Sequence, residues 1–105
     1  MALNKFVWID LEMTGLDVQK EVIIELGAVI TDLQLQIVDE YHSVVHQPQK
    51  YLDGMDDWNK KHHGESGLTA QVPSGKKPEI VEAEVLNLIN KHYLPEERPI
   101  ICGNS

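Results

Sequence analysis

The chain has 105 residues, 42% apolar and 25% charged, with a formal net charge of −8. That length allows one domain with a modest core, and the composition excludes a disordered chain. Nine basic side chains against seventeen acidic ones exclude a processive grip on long nucleic acid, which is held through many phosphate contacts, and leave open a short anionic substrate held by cations.

In chain order, Lys5 to Glu12 is a nearly continuous β-favouring run with acids at its end, the pattern of a central strand that delivers polar groups at its edge. Thr14-Gly15-Leu16-Asp17 carries turn chemistry. Further β-type runs follow at residues 21–31 and 34–46, so the first three strands read as an antiparallel meander, closed by Pro48. Residues 56–64 read as a short helix ending on Gly64, and Ser66 to Gly75 as irregular, surface-prone chain where binding groups can sit. Pro78 opens the clearest helix, with Val81, Val85, Leu88, Ile89 and His92 at helical spacing before Pro95. Pro99 to Gly103 reads as a fourth strand, reached by a helical crossover and therefore parallel to a neighbour. The fold class is α/β with a mixed sheet, ordered βββαβ with a helical insertion before the main helix. One substantial helix cannot cover both faces of such a sheet, so exposed apolar sheet is expected. No apolar run approaches the roughly 20 residues of a membrane span, the first residues do not read as a signal peptide, and the single Cys102 suits a reducing compartment. A cytoplasmic protein is expected.

The sharpest chemical feature is Asp10-Leu11-Glu12. Side chains two apart on a strand share a face, roughly 6.5 to 7 Å apart along it, and two carboxylates there suit a hard divalent ion such as Mg²⁺ or Mn²⁺. Spacing alone is weak evidence, since such Asp-x-Glu pairs are common and usually solvated. Leu16 is either exposed in its turn or folded back onto the core. Trp58 offers a stacking face to a base or anchors its helix. His63 belongs to the wall of the same pocket or is a solvated helix-end side chain. His62 and His63 as a zinc pair are set aside, because adjacent helical residues diverge by about 100° and the sequence shows no further ligand nearby.

The string Trp8-Ile-Asp-Leu-Glu-Met-Thr-Gly-Leu16 resembles the first exonuclease motif of the DEDD superfamily, in the wording used by oligoribonucleases. Ile24-Glu25, Asp57-Trp58, His63, Ser66-Gly67-Leu68 and Cys102-Gly103-Asn104-Ser105 resemble that family in the same order. The resemblance implies a ribonuclease H-like exonuclease fold, incomplete here, with residues 1–105 as the N-terminal part of a single exonuclease domain. It implies 3′-to-5′ hydrolysis of short oligoribonucleotides, down to dinucleotides, to nucleoside 5′-monophosphates by a two-metal-ion mechanism. Asp10 and Glu12 would be the first two of four metal-holding acids. Leu16 would wedge against the terminal bases, Trp58 and His63 would contact substrate, and Ser105 would hold its terminal phosphate. The third acid, the general-base histidine, the last aspartate and the groups that reach across a homodimer would lie outside these residues, so the chain alone is expected to be inactive or nearly so. The competing reading is a non-catalytic assembly unit that binds nucleotide or a complementary chain. A related exonuclease acting on DNA would call for a more basic chain.

Overall fold

The computed structural model describes residues 4–103. Four strands form one mixed sheet: β1 (Lys5–Met13), β2 (Ile23–Asp32), β3 (Ile37–Val44) and β4 (Ile100–Cys102), in spatial order β3-β2-β1-β4. The first three make the expected antiparallel meander, and β4 lies parallel to β1 with Phe6 opposite Ile100 and Trp8 opposite Cys102. β3 starts later than its apolar run, because Asp32 at the end of β2 turns the chain before it. Its carboxylate accepts from the backbone N–H of Gln34 and Gln36, and Leu35 takes a left-handed conformation with φ 64°.

The insertion is more helical than its composition suggests. It holds α1 (Gln49–Asp53), α2 (Asp57–Glu65), α3 (Leu68–Gln71) and a 3₁₀ turn over Val72–Ser74. Gly64 does not end α2. The helix runs to Glu65, Ser66 caps it by donating its backbone N–H to the His62 carbonyl, and the left-handed residue is Gly67 at φ 83°. Residues 66–75, read as irregular from their Ser, Gly and Pro content, instead bury Leu68 and Val72 with Ile24, Leu52 and Met55 in a small second core. Burial overrides weak local propensity there.

The main helix, α4 (Pro78–His92), covers one face of the sheet. Its Leu88 joins Val7, Ala28, Ile30 and Tyr93 in the principal core, with Ile9, Leu26, Tyr41 and Ile89 packed around them. At the strand beside it, His92 lies 2.9 Å from Asp39, and Lys76 and Tyr41 both donate to Glu84, at 2.8 and 3.0 Å. The opposite face carries Phe6, Trp8, Asp10 and Glu12, which alternate with Val7, Ile9 and Leu11 along β1. Apart from α2 at its Glu12 end, no described helix covers it, and Trp8 and Ile37 remain substantially exposed.

Candidate active site

Asp10 and Glu12 stand on the uncovered face of β1, held in place by an unbroken ladder to β2 from Lys5 through Glu12. The ladder shifts register between Glu12 and Met13, which bends the chain out of the sheet directly after the second acid. Asp10 is exposed and Glu12 half-buried. No hydrogen bond or ion pair from another described residue reaches either carboxylate. Glu25 lies directly opposite Glu12 in the ladder, and its carboxylate is already engaged at 2.8 Å by a ring nitrogen of His42. Two like charges without partners at a strand end, both hard oxygen donors, fit a divalent cation.

The loop after β1 is fixed by Thr14, a buried residue whose backbone N–H donates to the Val22 carbonyl at 3.0 Å and whose hydroxyl accepts from the Val22 N–H at 3.1 Å. Asp17 tightens the tip, its carbonyl accepting from Lys20 and Glu21 and its carboxylate from Gln19. A pinned loop leaves Leu16 no route back to the core: it is 97% exposed. The alternative of a residue folded inward is excluded.

Across from that loop, α2 starts at Asp56, whose carboxylate accepts from the Asn59 backbone N–H at 2.7 Å. Two turns of helix then present Trp58 and His62 on one side, four residues apart. Their rings stack at 4.8 Å with 14° between planes, and the indole is 67% exposed. Trp58 therefore does not anchor its helix to the core. His63, on the adjoining side, is 1% exposed, and its Nε2 lies 2.9 Å from the Met13 carbonyl. A carbonyl only accepts, so Nε2 carries the hydrogen and the imidazole ties α2 to the end of β1. A solvated helix-end histidine is excluded as well.

A cavity of about 570 Å³ lies between these elements, lined among others by Glu12, Gly15, Leu16, Asp56, Trp58 and Asn59. Glu12, Leu16 and Trp58 thus meet in one place, while Asp10 sits two residues back on the same strand face, outside the lining. His63 lies behind Glu12 rather than in the cavity wall. Ser105 falls outside the described residues. Just before it, Gly103 ends β4 with φ 115° against the backbone of Ile9, where a Cβ would collide with the Ile9 carbonyl. A larger apolar groove of about 670 Å³ between α4 and the ends of β1 and β2 contains none of the predicted site residues.

One grouping was not legible from the sequence. A carboxylate oxygen of Glu12 and one nitrogen each of His62 and His63 all lie within 4.8 Å of one another. The further ligand that the sequence lacked beside the histidine pair comes from a strand some fifty residues away, brought there by the His63–Met13 hydrogen bond.

The family model described as Exonuclease (RNase_T) matches residues 7–105. The oligoribonuclease of Marinobacter nauticus is 45% identical over 104 residues, covering 97% of this chain and 57% of that protein. That of Bordetella pertussis is 43% identical over 103 residues, covering 97% and 57%. The chain therefore spans a little over half the length of these curated relatives. Among solved structures, the nuclease domain of 3′hExo, described as a DEDDh family member bound to rAMP, superposes with a TM-score of 0.73 at 18% identity, covering 97% of this chain and 52% of that one. Cell-death related nuclease 4 superposes with a TM-score of 0.73 at 12% identity, covering 97% and 35%. These likenesses agree with the mixed α/β fold. With the motif strand in the sheet centre and the family match running over residues 7–105, the chain belongs to the RNase_T exonuclease family.

Proposed function

We propose that this chain carries the first two metal-holding acids and part of the nucleotide pocket of a 3′-to-5′ exoribonuclease acting on short oligoribonucleotides, and that alone it turns over little or no substrate. The observation that carries the reading is the shared strand face of Asp10 and Glu12 beside a cavity lined by Glu12, Leu16 and Trp58. The oligoribonuclease relatives support the choice of substrate.

Asp10 and Glu12 would hold Mg²⁺ or Mn²⁺, a pair of which supplies water activation and charge neutralisation in phosphodiester hydrolysis. The other residues orient substrate. Trp58 presents one open indole face to a base, its other face being covered by His62. Leu16, held outward by the Thr14 and Asp17 bonds, is placed to meet a terminal base from the facing side of the cavity. His63 fixes the distance between α2 and β1 and so the width of that cavity. Ser105 as a phosphate contact, a homodimer and a cytoplasmic setting belong to the same reading. Weak turnover is expected because two acids leave the charge of a cation pair only partly balanced.

Hydrolysis of a 5′-labelled RNA dinucleotide in Mn²⁺, together with Mn²⁺-dependent binding of a nucleoside 5′-monophosphate, tests the assignment. Asp10→Ala should abolish the metal dependence of binding and any residual turnover. Binding that responds to Mn²⁺ equally in wild type and Asp10→Ala would sink the role given to Asp10. Robust turnover by the wild-type chain would sink the claim of inactivity. The uncovered apolar face around Trp8 and Ile37 favours a second reading, a non-catalytic assembly unit, which predicts neither turnover nor metal-dependent nucleotide binding.

A further inference from the structure

We propose that Glu12, His62 and His63 form a site for a borderline-soft divalent ion of the Zn²⁺ class, distinct in its ligands from the hard-cation pair Asp10 and Glu12 and sharing Glu12 with it. The three donor atoms lie within 4.8 Å of one another. Ligands about 2.1 Å from one ion stand roughly 3 to 4 Å apart in a tetrahedral site, so a small ring rotation closes the set. His62 is exposed, and the rotation would trade its stack on Trp58 for a metal bond.

A second observation points the same way. Imidazoles that ligate metals almost always donate their other ring N–H to a carbonyl or carboxylate, which fixes the tautomer and aims the lone pair. His63 already does so: Nε2–H donates to the Met13 carbonyl at 2.9 Å, leaving Nδ1 as its only lone pair. A nearly fully buried histidine with Nε2 engaged by the Met13 carbonyl would ligate through Nδ1, beside an unpaired carboxylate. Two imidazoles and one carboxylate leave a fourth position open and favour Zn²⁺ over Mg²⁺, whose preferred donors are oxygens.

The ligand set makes the two sites mutually exclusive at Glu12. An ion drawn to His62 and His63 takes the carboxylate away from Asp10, so Zn²⁺ would oppose the hard cations rather than replace them. The proposal does not depend on the exonuclease reading, and its test measures binding alone. Zn²⁺ titration of the 105-residue chain by calorimetry, with Co²⁺ absorption as the coordination probe, is to be compared among wild type, His62→Ala and Asp10→Asn. His62 is exposed, so its removal leaves the fold intact, which far-ultraviolet circular dichroism checks. The expected result is about one ion per chain in wild type, affinity at least about tenfold weaker in His62→Ala, and affinity within about threefold of wild type in Asp10→Asn. Three results would overturn it: no Zn²⁺ binding by wild type, undiminished binding by His62→Ala, or a loss in Asp10→Asn as large as in His62→Ala, which would place the ion on the two carboxylates.

Discussion

Trp58 shows how much a single exposed aromatic can commit to. A residue of its size left 67% exposed on a helix whose neighbours are packed forgoes burial worth about 1.5 to 3 kcal/mol. Stacking with His62 recovers part of that and holds the ring upright at the cavity mouth. The expected consequence is that Trp58→Ala weakens ribodinucleotide binding by about 1 to 3 kcal/mol while Trp58→Phe keeps most of the affinity. Fluorescence anisotropy of a labelled dinucleotide measures both, and equal affinity in wild type and Trp58→Ala would mean that no base rests on the indole. The sequence made the site's residues legible to different depths. Asp10 and Glu12 could be read from the period of a strand, since i and i+2 share a face whatever the rest of the fold does. Leu16 and Trp58 could be assigned only through the resemblance of their motifs, because exposure is a property of the loop and helix contacts around them. The proximity of His62 to Glu12 was not legible at all, since it depends on one hydrogen bond between α2 and the end of β1.

At the scale of elements, α4 and β3 are joined by polar contacts as well as by Leu88. Hydrogen bonds from Lys76 and then from Tyr41 hold the Glu84 carboxyl below its ordinary range, and the hydrogen bond to His92 does the same for Asp39. A depressed carboxyl contributes stability that is complete above its unfolded value and is lost as pH falls through its folded value. Urea midpoints should therefore drop on acidification below about pH 4, and Glu84→Gln should flatten part of that drop. A profile identical to wild type would show that the Lys76–Glu84 contact is too solvated to matter. Lys76 is held above its usual value by the same bond, so its share persists through neutral pH and is lost only on strong alkalinisation. The join between β4 and β1 relies instead on shape. Gly103 at φ 115° touches the Ile9 backbone one residue before Asp10, and Gly103→Ala should cost about 1 to 3 kcal/mol in urea unfolding. A change under about 0.5 kcal/mol would mean that this join adds little to the fold. The four strands and α4 were legible from β-runs and helical spacing. In residues 49–74 only α2 was legible; α1, α3 and the 3₁₀ turn were not, because they are short and owe their form to burying Leu52, Leu68 and Val72 against Ile24.

For the whole molecule, two features disfavour a long nucleic acid. The net charge of −8 repels polyanions, and the basic residues present are partly used up internally, as Lys76 is on Glu84. The uncovered sheet face is apolar around Trp8 and Ile37 and offers a long phosphate backbone nothing to hold. Under the proposed function, recognition would be local, concentrated where a cation on the carboxylates would meet the cavity between Leu16 and Trp58. Such a site would read one or two phosphates and gain nothing from further nucleotides. Salt dependence measures that number directly, because each phosphate neutralised on a single strand adds about −0.7 to the slope of log K against log salt. For this chain in constant Mn²⁺ the slope should be no steeper than about −1.5 and should be the same for a dinucleotide and a ten-residue RNA. A slope that steepens with RNA length would reveal a basic track along the molecule, and the confinement of binding to the end of β1 would then be wrong.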